Sequence, residues 1–186
     1  MAPILDRFIQ IIEENNLNPE DIEKVEYTPV PVITNRMWVE NELRTEEDYG
    51  FHGPYLVSCA AYRVKAIDYV KKEIQNDRKI RDFMKKVKIL ELDPDFGKVS
   101  LQDPEHYVRY LHIIVYAKGK VFRMTNRVVD WSWNSEARAT DDELTNKFRE
   151  VVDGFLPSDK TEKAIQSLFN LEGIGDMNEL TALLVP

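Results

Sequence analysis

The residues best suited to chemistry lie in one segment, at the start of a predicted helix. Residues 45–60 read T-E-E-D-Y-G-F-H-G-P-Y-L-V-S-C-A. A Gly-Pro turn places Tyr55 in the first helical turn, with His52 three residues before it. The N–H groups and positive dipole end of a helix start can hold an anion, with a phenol as acid or hydrogen-bond donor. The alternative is structural: the tyrosine ring packs, and the histidine neighbours the cap.

The ordinary pKa values of the two side chains suggest different roles. A phenol of pKa ~10 is a poor base at neutral pH, so Tyr55 would donate a proton or hydrogen bond to a leaving group or oxyanion. An imidazole of pKa ~6.5 is the better proton shuttle, which fits His52. Tyr55 and His52 are therefore the candidate catalytic residues of this segment, with the structural alternative still open.

Other chemistries find little support in the sequence. The seven glycines lack the spacing of a phosphate loop, and no H-E-x-x-H pattern occurs. His106 and His112 share one predicted strand but lie far apart for one metal ion. Cys59, the single cysteine, falls on an apolar helix side, where a free cysteine is usually structural. We expect no metal, flavin, iron–sulfur cluster or other cofactor.

Charge is distributed unevenly along the chain. The totals are 33 acidic and 25 basic residues, a net charge of −8, which argues against a nucleic-acid partner. Residues 71–88 nevertheless carry eight bases against three acids. This block is either a solvated helical face or a basic rim that gathers an anionic ligand or an acidic partner. The eight bases are Lys71, Lys72, Arg78, Lys79, Arg81, Lys85, Lys86 and Lys88.

The elements that position these residues begin with an amphipathic helix over residues 3–15. Residues 24–33 read as an extended strand. Because Pro29 and Pro31 each remove a ladder donor, we expect this strand at a sheet edge or partly irregular. Three helices are predicted next: one from His52, one near residues 67–74, and one after a cap at Asn76 or Asp77. A short strand over Val87–Leu92 follows them.

A hairpin is the clearest strand signal. Residues 106–117 and 120–129 alternate on either side of Lys118-Gly119, a two-residue turn. If Ala117 pairs with Lys120, the predicted cross-strand pairs are Val115 with Phe122 and Ile113 with Met124 on the core side, and Ile114 with Arg123 and His112 with Thr125 on the other.

Three helices are predicted for the last third of the chain. A capping box at residues 140–143 starts the first, Pro157-Ser158 starts the second, and the third runs from Asp176. The side chains expected to face inward are Leu144, Phe148, Val151 and Val152 on the first, Ala164, Ile165, Leu168 and Phe169 on the second, and Leu180 and Leu184 on the third.

Strands and helices are thus segregated rather than alternating. This order predicts an α+β fold, a two-layer domain with an antiparallel sheet, over a single domain of residues 1–186. No signal peptide or membrane-spanning run is visible, and one cysteine suits a reducing compartment, so we expect a soluble, cytoplasmic protein.

Three segments, in order, resemble the C-terminal domain of the MmgE/PrpD (2-methylcitrate dehydratase) family. Residues 3–6 leading to 17–25 resemble the family's helix followed by L-x-P-E-D-I-E-x-V. Residues 45–55 are similar to T-x-x-x-A-x-F-S-x-P-Y, with His52 where serine is common. Residues 140–149 are similar to S-D-E-E-L-x-x-K-F-R. Residues 76–87 also resemble the family's N-D-P-x-V…K-V helix and strand.

The resemblance implies a function. Such proteins are cofactor-free lyases and isomerases of small di- and tricarboxylates, including dehydratases. They pair a large helical N-terminal domain with a smaller α+β lid, and the active site lies in the cleft between them. Tyr55 matches the tyrosine that the lid contributes, and in a lid we expect it to project into a cleft. The implied partners are a helical-domain chain of the same family, a small carboxylate substrate and a possible second copy of the chain, with neither nucleic acid nor membrane.

Departures from the family pattern leave three alternatives. The family's lid histidine falls at about Ala2 and its lysine before Met1, the helical domain is missing, and residues 130–139 lack the P-x-G loop. The chain is a lid subunit completed by a separate helical chain, a non-catalytic acid-binding or interaction module, or a fragment of a longer enzyme. A lid would expose apolar surface, through Trp38, Trp131 or Trp133.

Overall fold

Four strands form one sheet in the first of the two units into which the chain divides, residues 1–136 and 137–186. The computed structural model describes residues 2–28, 43–90, 110–127 and 139–186. Within them the strand order is β2-β1-β3-β4. The strands are β1 Ile22–Tyr27, β2 Val87–Ile89, β3 Tyr110–Ala117 and β4 Lys120–Arg127.

The sheet is mixed. β1 pairs with β3 and β3 with β4 in antiparallel ladders, whereas β1 pairs with β2 in parallel. The predicted α+β class, with segregated helices and strands, is confirmed. The antiparallel arrangement holds for two of the three described ladders. The third is parallel because the chain returns to the same end of the sheet through helices between β1 and β2, and a parallel pair requires such a crossover.

The β3–β4 hairpin has the predicted register. Ala117 pairs with Lys120 across a turn whose residues, Lys118 and Gly119, have φ values of 52° and 68°. Positive φ at both positions is typical of the primed turns, whose twist matches that of the strands. The predicted cross-strand pairs are all found: Val115 with Phe122, Ile113 with Met124, Ile114 with Arg123 and His112 with Thr125.

Of the two alternatives predicted for the first strand, the edge position is wrong, whereas the ladder with β3 does have an irregularity, a register shift between Ile22 and Lys24. β1 lies inside the sheet, between β2 and β3, and Val25 pairs with both Val87 and Val115. The prediction rested on Pro29 and Pro31, but β1 already ends at Tyr27, so the strand keeps all its ladder donors. Both prolines lie outside the described residues.

Helix α1, Ala2–Glu14, confirms the predicted N-terminal amphipathic helix. Most of its apolar side is buried in one cluster with the inward residues of the sheet, and Leu5 and Ile9 pack against that cluster partly buried. Asn16, with φ 48°, lies in the turn that follows it. The buried α1 side chains are Ile4, Phe8, Ile11 and Ile12, and they share the cluster with Val25, Tyr27, Ile113, Val115 and Ala117.

Four short helices lie in the described part of the crossover between β1 and β2. In place of the helix predicted near residues 67–74, the chain forms a 3₁₀ turn and a four-residue helix. Asp77 caps the last of the four through its carboxylate, which accepts from the Lys79 N–H. The helices are α2 Glu46–Phe51, α3 Gly53–Ala61, α4 Lys72–Gln75 and α5 Arg78–Met84, with the 3₁₀ turn at Ala66–Asp68.

Helix α3 is buried on all sides rather than on one. All nine of its residues are buried. Val57, Ala60 and Ala61 join the cluster beneath the sheet. On its other side, Tyr55, Leu56 and Cys59 pack in a second cluster with Tyr49 of α2 and Ile80 of α5.

The second unit consists of helices α6 Asp141–Val152, α7 Ser158–Phe169 and α8 Met177–Leu183. The predicted buried stripe of α6 is wrong, because Leu144 and Val151 are 50% and 48% exposed and no residue of α6 is buried. Three short helices have too little volume to bury every apolar side chain. Of the predicted inward residues on the other two helices, Ala164, Ile165 and Leu180 are buried, whereas Leu168, Phe169 and Leu184 are exposed.

The described helices are short. The longest, α1, has 13 residues, and no helix in the described ranges is long and apolar enough to cross a membrane. The tryptophans predicted to expose apolar surface, Trp38, Trp131 and Trp133, lie outside those ranges.

Candidate functional site

The start of α2 is fixed by a capping box. The Thr45 hydroxyl accepts from the Asp48 N–H at 3.2 Å, and the Asp48 carboxylate accepts from the N–H groups of Thr45 at 2.8 Å and Arg44 at 3.0 Å. These backbone donors, that of Thr45 above all, hold the pKa of Asp48 below its ordinary value. Because the box sets where α2 begins, it also sets the position of Tyr49 one turn later.

His52 caps the next helix, α3. Its Nδ1 accepts a hydrogen bond from the Tyr55 N–H at 3.2 Å. Pro54 lies in the first turn of α3, where a missing N–H costs nothing. An accepting Nδ1 carries no proton, so a neutral ring keeps its proton on Nε2. His52 is 7% exposed, and the structure thus gives it a positioning contact at the place where the sequence suggested a proton shuttle.

Tyr55 does not project into a cleft. It is 0% exposed, and its hydroxyl donates to the backbone carbonyl of Tyr69 at 2.6 Å. Its ring packs edge-on against that of Tyr49, with centroids 4.9 Å apart. Burial, together with the neighbouring Cys59 thiol, raises the pKa of the Tyr55 phenol well above its ordinary value. The expected projection is wrong because α3 is covered on both sides, so the first helical turn faces the core.

A cavity lies beside this tyrosine pair, between α2 and α5. Its volume is about 830 Å³, within the range of small-molecule sites. Tyr49 reaches it, whereas Tyr55 lies behind Tyr49 and does not line it. The other residues that line it are Leu43, Arg44, Gln75, Asn76, Arg78, Arg81, Asp82, Met84 and Lys85.

Arg81, in the cavity wall, is held by three hydrogen bonds. Its Nε donates to the Gln75 carbonyl at 2.9 Å. Its Nη2 donates to the Asn76 side-chain oxygen at 3.1 Å and to the Tyr49 hydroxyl at 3.4 Å. Three bonds from two nitrogens hold the guanidinium plane in one orientation, which a flexible surface arginine lacks.

The cavity wall is positively charged. It contains four cationic side chains against one carboxylate, Asp82. Lys85 donates to Asp82 at 2.6 Å, and Arg78 lies 3.6 Å from its other oxygen. The hydrogen bond from Lys85 is the main cause that holds the pKa of Asp82 below its ordinary value. Counted over the lining residues alone, the four cations and the ionised Asp82 give a formal charge of +3, which suits an anionic ligand.

Part of this site could be foreseen from sequence. Arg78, Arg81 and Lys85 belong to the basic block of residues 71–88, and their spacing of three and four places them on one side of a helix. The sequence does not single out Tyr49, although Tyr49 lies in the same segment as Tyr55. The basic block and Tyr49 indicate an anion site only when they are taken together, and neither of them indicates the other.

The described residues offer no metal cluster. No three His, Cys, Asp or Glu side chains among them lie close enough together to hold a metal ion. His112 Nδ1 instead lies 2.9 Å from the Thr125 hydroxyl, and His106 is outside the described residues. Cys59 is buried, and this burial raises the pKa of its thiol to about 11, which keeps the thiol protonated at neutral pH.

Comparison with known proteins identifies the family. The family model of the MmgE/PrpD C-terminal domain matches residues 1–171, which include the whole sheet, the cavity between α2 and α5, and helices α6 and α7. A search of curated proteins found no match. Since the matched segment covers most of the 186 residues, the chain belongs to the MmgE/PrpD family through its C-terminal domain.

Proposed function

We propose that this chain is the lid of a cofactor-free, dehydratase-like lyase or isomerase that acts on a small di- or tricarboxylate. Both units would belong to that lid, and a separate helical-domain chain of the same family would complete the active site. The observation that carries the proposal is the cavity at α2 and α5. Its formal charge of +3 and its ordered Arg81 suit a substrate with several carboxylates.

Reconstitution tests this proposal. The chain would be co-expressed with a helical-domain chain of the family and supplied with hydroxylated di- and tricarboxylates. Dehydration removes a hydroxyl group from one carbon and a proton from its neighbour, and releases water and a conjugated alkene that absorbs in the ultraviolet. We expect turnover only with both chains present. Equal turnover by either chain alone, or none by a stable complex across these substrates, would contradict the proposal.

Tyr55 and His52 remain the proposed catalytic pair within such a complex. For Tyr55 to act as acid or oxyanion donor, its hydroxyl must exchange the Tyr69 carbonyl for the substrate. Tyr55→Phe is then expected to lower turnover per folded complex by ~10²-fold or more. Unchanged turnover would contradict a catalytic role for Tyr55 and leave it only the structural hydrogen bond to Tyr69.

The second candidate function is a non-catalytic module that binds small acids. Two observations on Tyr55, the residue that resembles the family's lid tyrosine, favour this candidate. Its side chain is buried, and its hydroxyl already donates to the Tyr69 carbonyl. This candidate predicts binding of a carboxylate by the chain alone, and no turnover with any helical-domain chain.

A further inference from the structure

The guanidinium of Arg81 donates every hydrogen of Nε and Nη2 to described residues, and neither hydrogen of Nη1. Its Nε and Nη2 carry three hydrogens, and these match three acceptors: the Gln75 carbonyl, the Asn76 side chain and the Tyr49 hydroxyl. Nη1 carries the remaining two hydrogens, and it forms no hydrogen bond or ion pair with any described residue. Arg81 also has no carboxylate partner there, unlike Arg78 and Lys85, which share Asp82.

Tyr49 adds a second unused donor beside the first. Its hydroxyl accepts from Arg81 Nη2 at 3.4 Å, and its own hydrogen has no acceptor among the described residues. Tyr49 is 7% exposed, so its ring is fixed by packing, and the edge-on contact with Tyr55 holds it from behind. Two oriented donors of this kind, one of them charged, match the two oxygens of a carboxylate.

We propose that Tyr49 and Arg81 form a carboxylate-binding site, in which Arg81 Nη1 binds one oxygen and the Tyr49 hydroxyl donates to the other. The site is separate from the Tyr55 hydroxyl, and Tyr55 acts on it as a positioning residue through its ring. The choice of carboxylate over other anions rests on the proposed function. The site itself rests on the donors and the charge of the cavity wall.

The rest of the cavity indicates a ligand with more than one carboxylate. Lys85 and Arg78 lie in the same wall, and both are largely exposed, with 76% and 94% of their side-chain surfaces accessible. They now share Asp82, so a second carboxylate of the ligand can compete with Asp82 for them. A cavity of about 830 Å³ accommodates a molecule of this size.

Titration calorimetry on the full chain tests the site, with citrate as the probe and inorganic phosphate as the comparison anion. We expect citrate to bind more tightly than phosphate at equal ionic strength. Arg81→Gln and Tyr49→Phe are each expected to weaken citrate binding by about tenfold, the effect of one hydrogen bond to a charged group. Lys79→Gln is the matched control, because Lys79 lies on the same helix but outside the cavity wall.

The outcomes distinguish a specific site from general electrostatic attraction, and they distinguish failure of the site from failure of the proposed lyase function. Equal weakening by Arg81→Gln and Lys79→Gln, or no citrate binding by the unaltered chain, would overturn the site. If Arg81→Gln fails to fold, Tyr49→Phe decides, because it keeps the ring that packs on Tyr55. Specific citrate binding without turnover in the reconstituted complex would support the site and refute the lyase. Turnover in the complex, without specific weakening of citrate binding by Arg81→Gln and Tyr49→Phe, would support the lyase and refute the site.

Discussion

Tyr55 ties the start of α3 to the turn at Tyr69 through one hydrogen bond of 2.6 Å. The bond spans 14 residues and closes the loop between α3 and α4, so it orders the backbone that leads into the cavity wall. Burial also raises the pKa of the Tyr69 phenol to about 12, so both rings stay neutral at physiological pH. In the isolated chain the Tyr55 hydroxyl is therefore a structural donor.

Tyr55→Phe is predicted to destabilise the isolated chain. It removes the part-buried hydrogen bond to the Tyr69 carbonyl, and the loss of such a bond costs about 0.5–1.5 kcal/mol. The free energy of unfolding in urea measures the loss. Tyr116→Phe is the matched control, since its hydroxyl donates to Glu26, a half-buried carboxylate that keeps Lys24 as a partner. Equal losses in the two variants would contradict the structural assignment.

Sequence spacing predicted that His52 and Tyr55 lie together, and they do, through the Nδ1 cap on the Tyr55 N–H. Spacing could not predict the hydrogen-bond acceptor of the Tyr55 hydroxyl, because that acceptor is a backbone carbonyl in an irregular turn. Periodicity contains no information about such turns. Likewise, the contact of Arg81 with Tyr49 joins residues 32 positions apart in sequence, and only the packing of α2 beside α5 creates it.

At the scale of elements, the β3–β4 turn shows how backbone conformation restricts sequence. Gly119 has φ 68°, and a Cβ built there meets no atom within 4 Å, so any cost of a side chain comes from the backbone alone. Gly50 in α2 also has open space around a built Cβ, but its φ is not positive.

The same substitution is therefore predicted to act with opposite signs at these two glycines. Gly119→Ala places a Cβ in the left-handed region and is expected to destabilise the chain by about 1 kcal/mol. Gly50→Ala removes a helix-disfavouring residue and is expected to stabilise it by about 0.5–1 kcal/mol. Thermal and urea unfolding measure both changes, and a shared sign would contradict the assigned turn.

The capping box of α6 gives a pH-dependent prediction. Glu143 accepts from the Thr140 N–H and hydroxyl, and these bonds hold its pKa below the ordinary value. A carboxyl group whose pKa is lowered on folding stabilises the fold above its unfolded pKa of about 4.3. This contribution is lost as the pH falls through the lower, folded pKa.

Glu143→Gln is accordingly expected to destabilise the second unit at pH 6, and the difference from the unaltered chain is expected to shrink towards pH 3. Helical circular dichroism during urea unfolding at both pH values measures it. Glu150→Gln, at an exposed position on the same helix outside the box, is the control. A difference that grows on acidification would contradict the direction of the pKa shift.

Local patterns predicted the elements well where a single signal was sufficient. The hairpin register followed from two turn residues, and α1 followed from one apolar stripe. The interior place of β1 did not follow, because it depends on where the strand stops relative to Pro29. The exposed apolar side of α6 did not follow either, because a stripe shows which face is apolar and not whether anything covers it.

For the whole molecule, the two units differ in how much apolar surface each buries. Among the described residues, the cluster under the sheet contains 16 that are buried. In contrast, the described hydrophobic residues that are buried in the second unit are Ala164, Ile165 and Leu180. The second unit instead has a shallow apolar depression of about 240 Å³, lined by Leu144, Thr145, Phe148, Ile165, Leu168 and Phe169.

Hydrogen exchange is predicted to separate the two units. Regions with few buried contacts open at lower free energy, so amides of α6, α7 and α8 are expected to exchange at least about tenfold faster than those of β1 and β3. Mass spectrometry of exchanged peptides measures this in the full chain. Equal protection of α7 and β3 would show that the second unit unfolds only together with the first.

The interior position of β1 has a consequence for synthesis on the ribosome. Val25 pairs with Val115, a partner that is made 90 residues later. At roughly 5–20 residues per second, the emerging α1 and β1 wait about 5–20 s before the strand that covers them exists. During that interval the apolar sides of Phe8 and Val25 face solvent, which makes the nascent chain a substrate for chaperones. Slower translation between β1 and β3 would lengthen the exposure and favour aggregation.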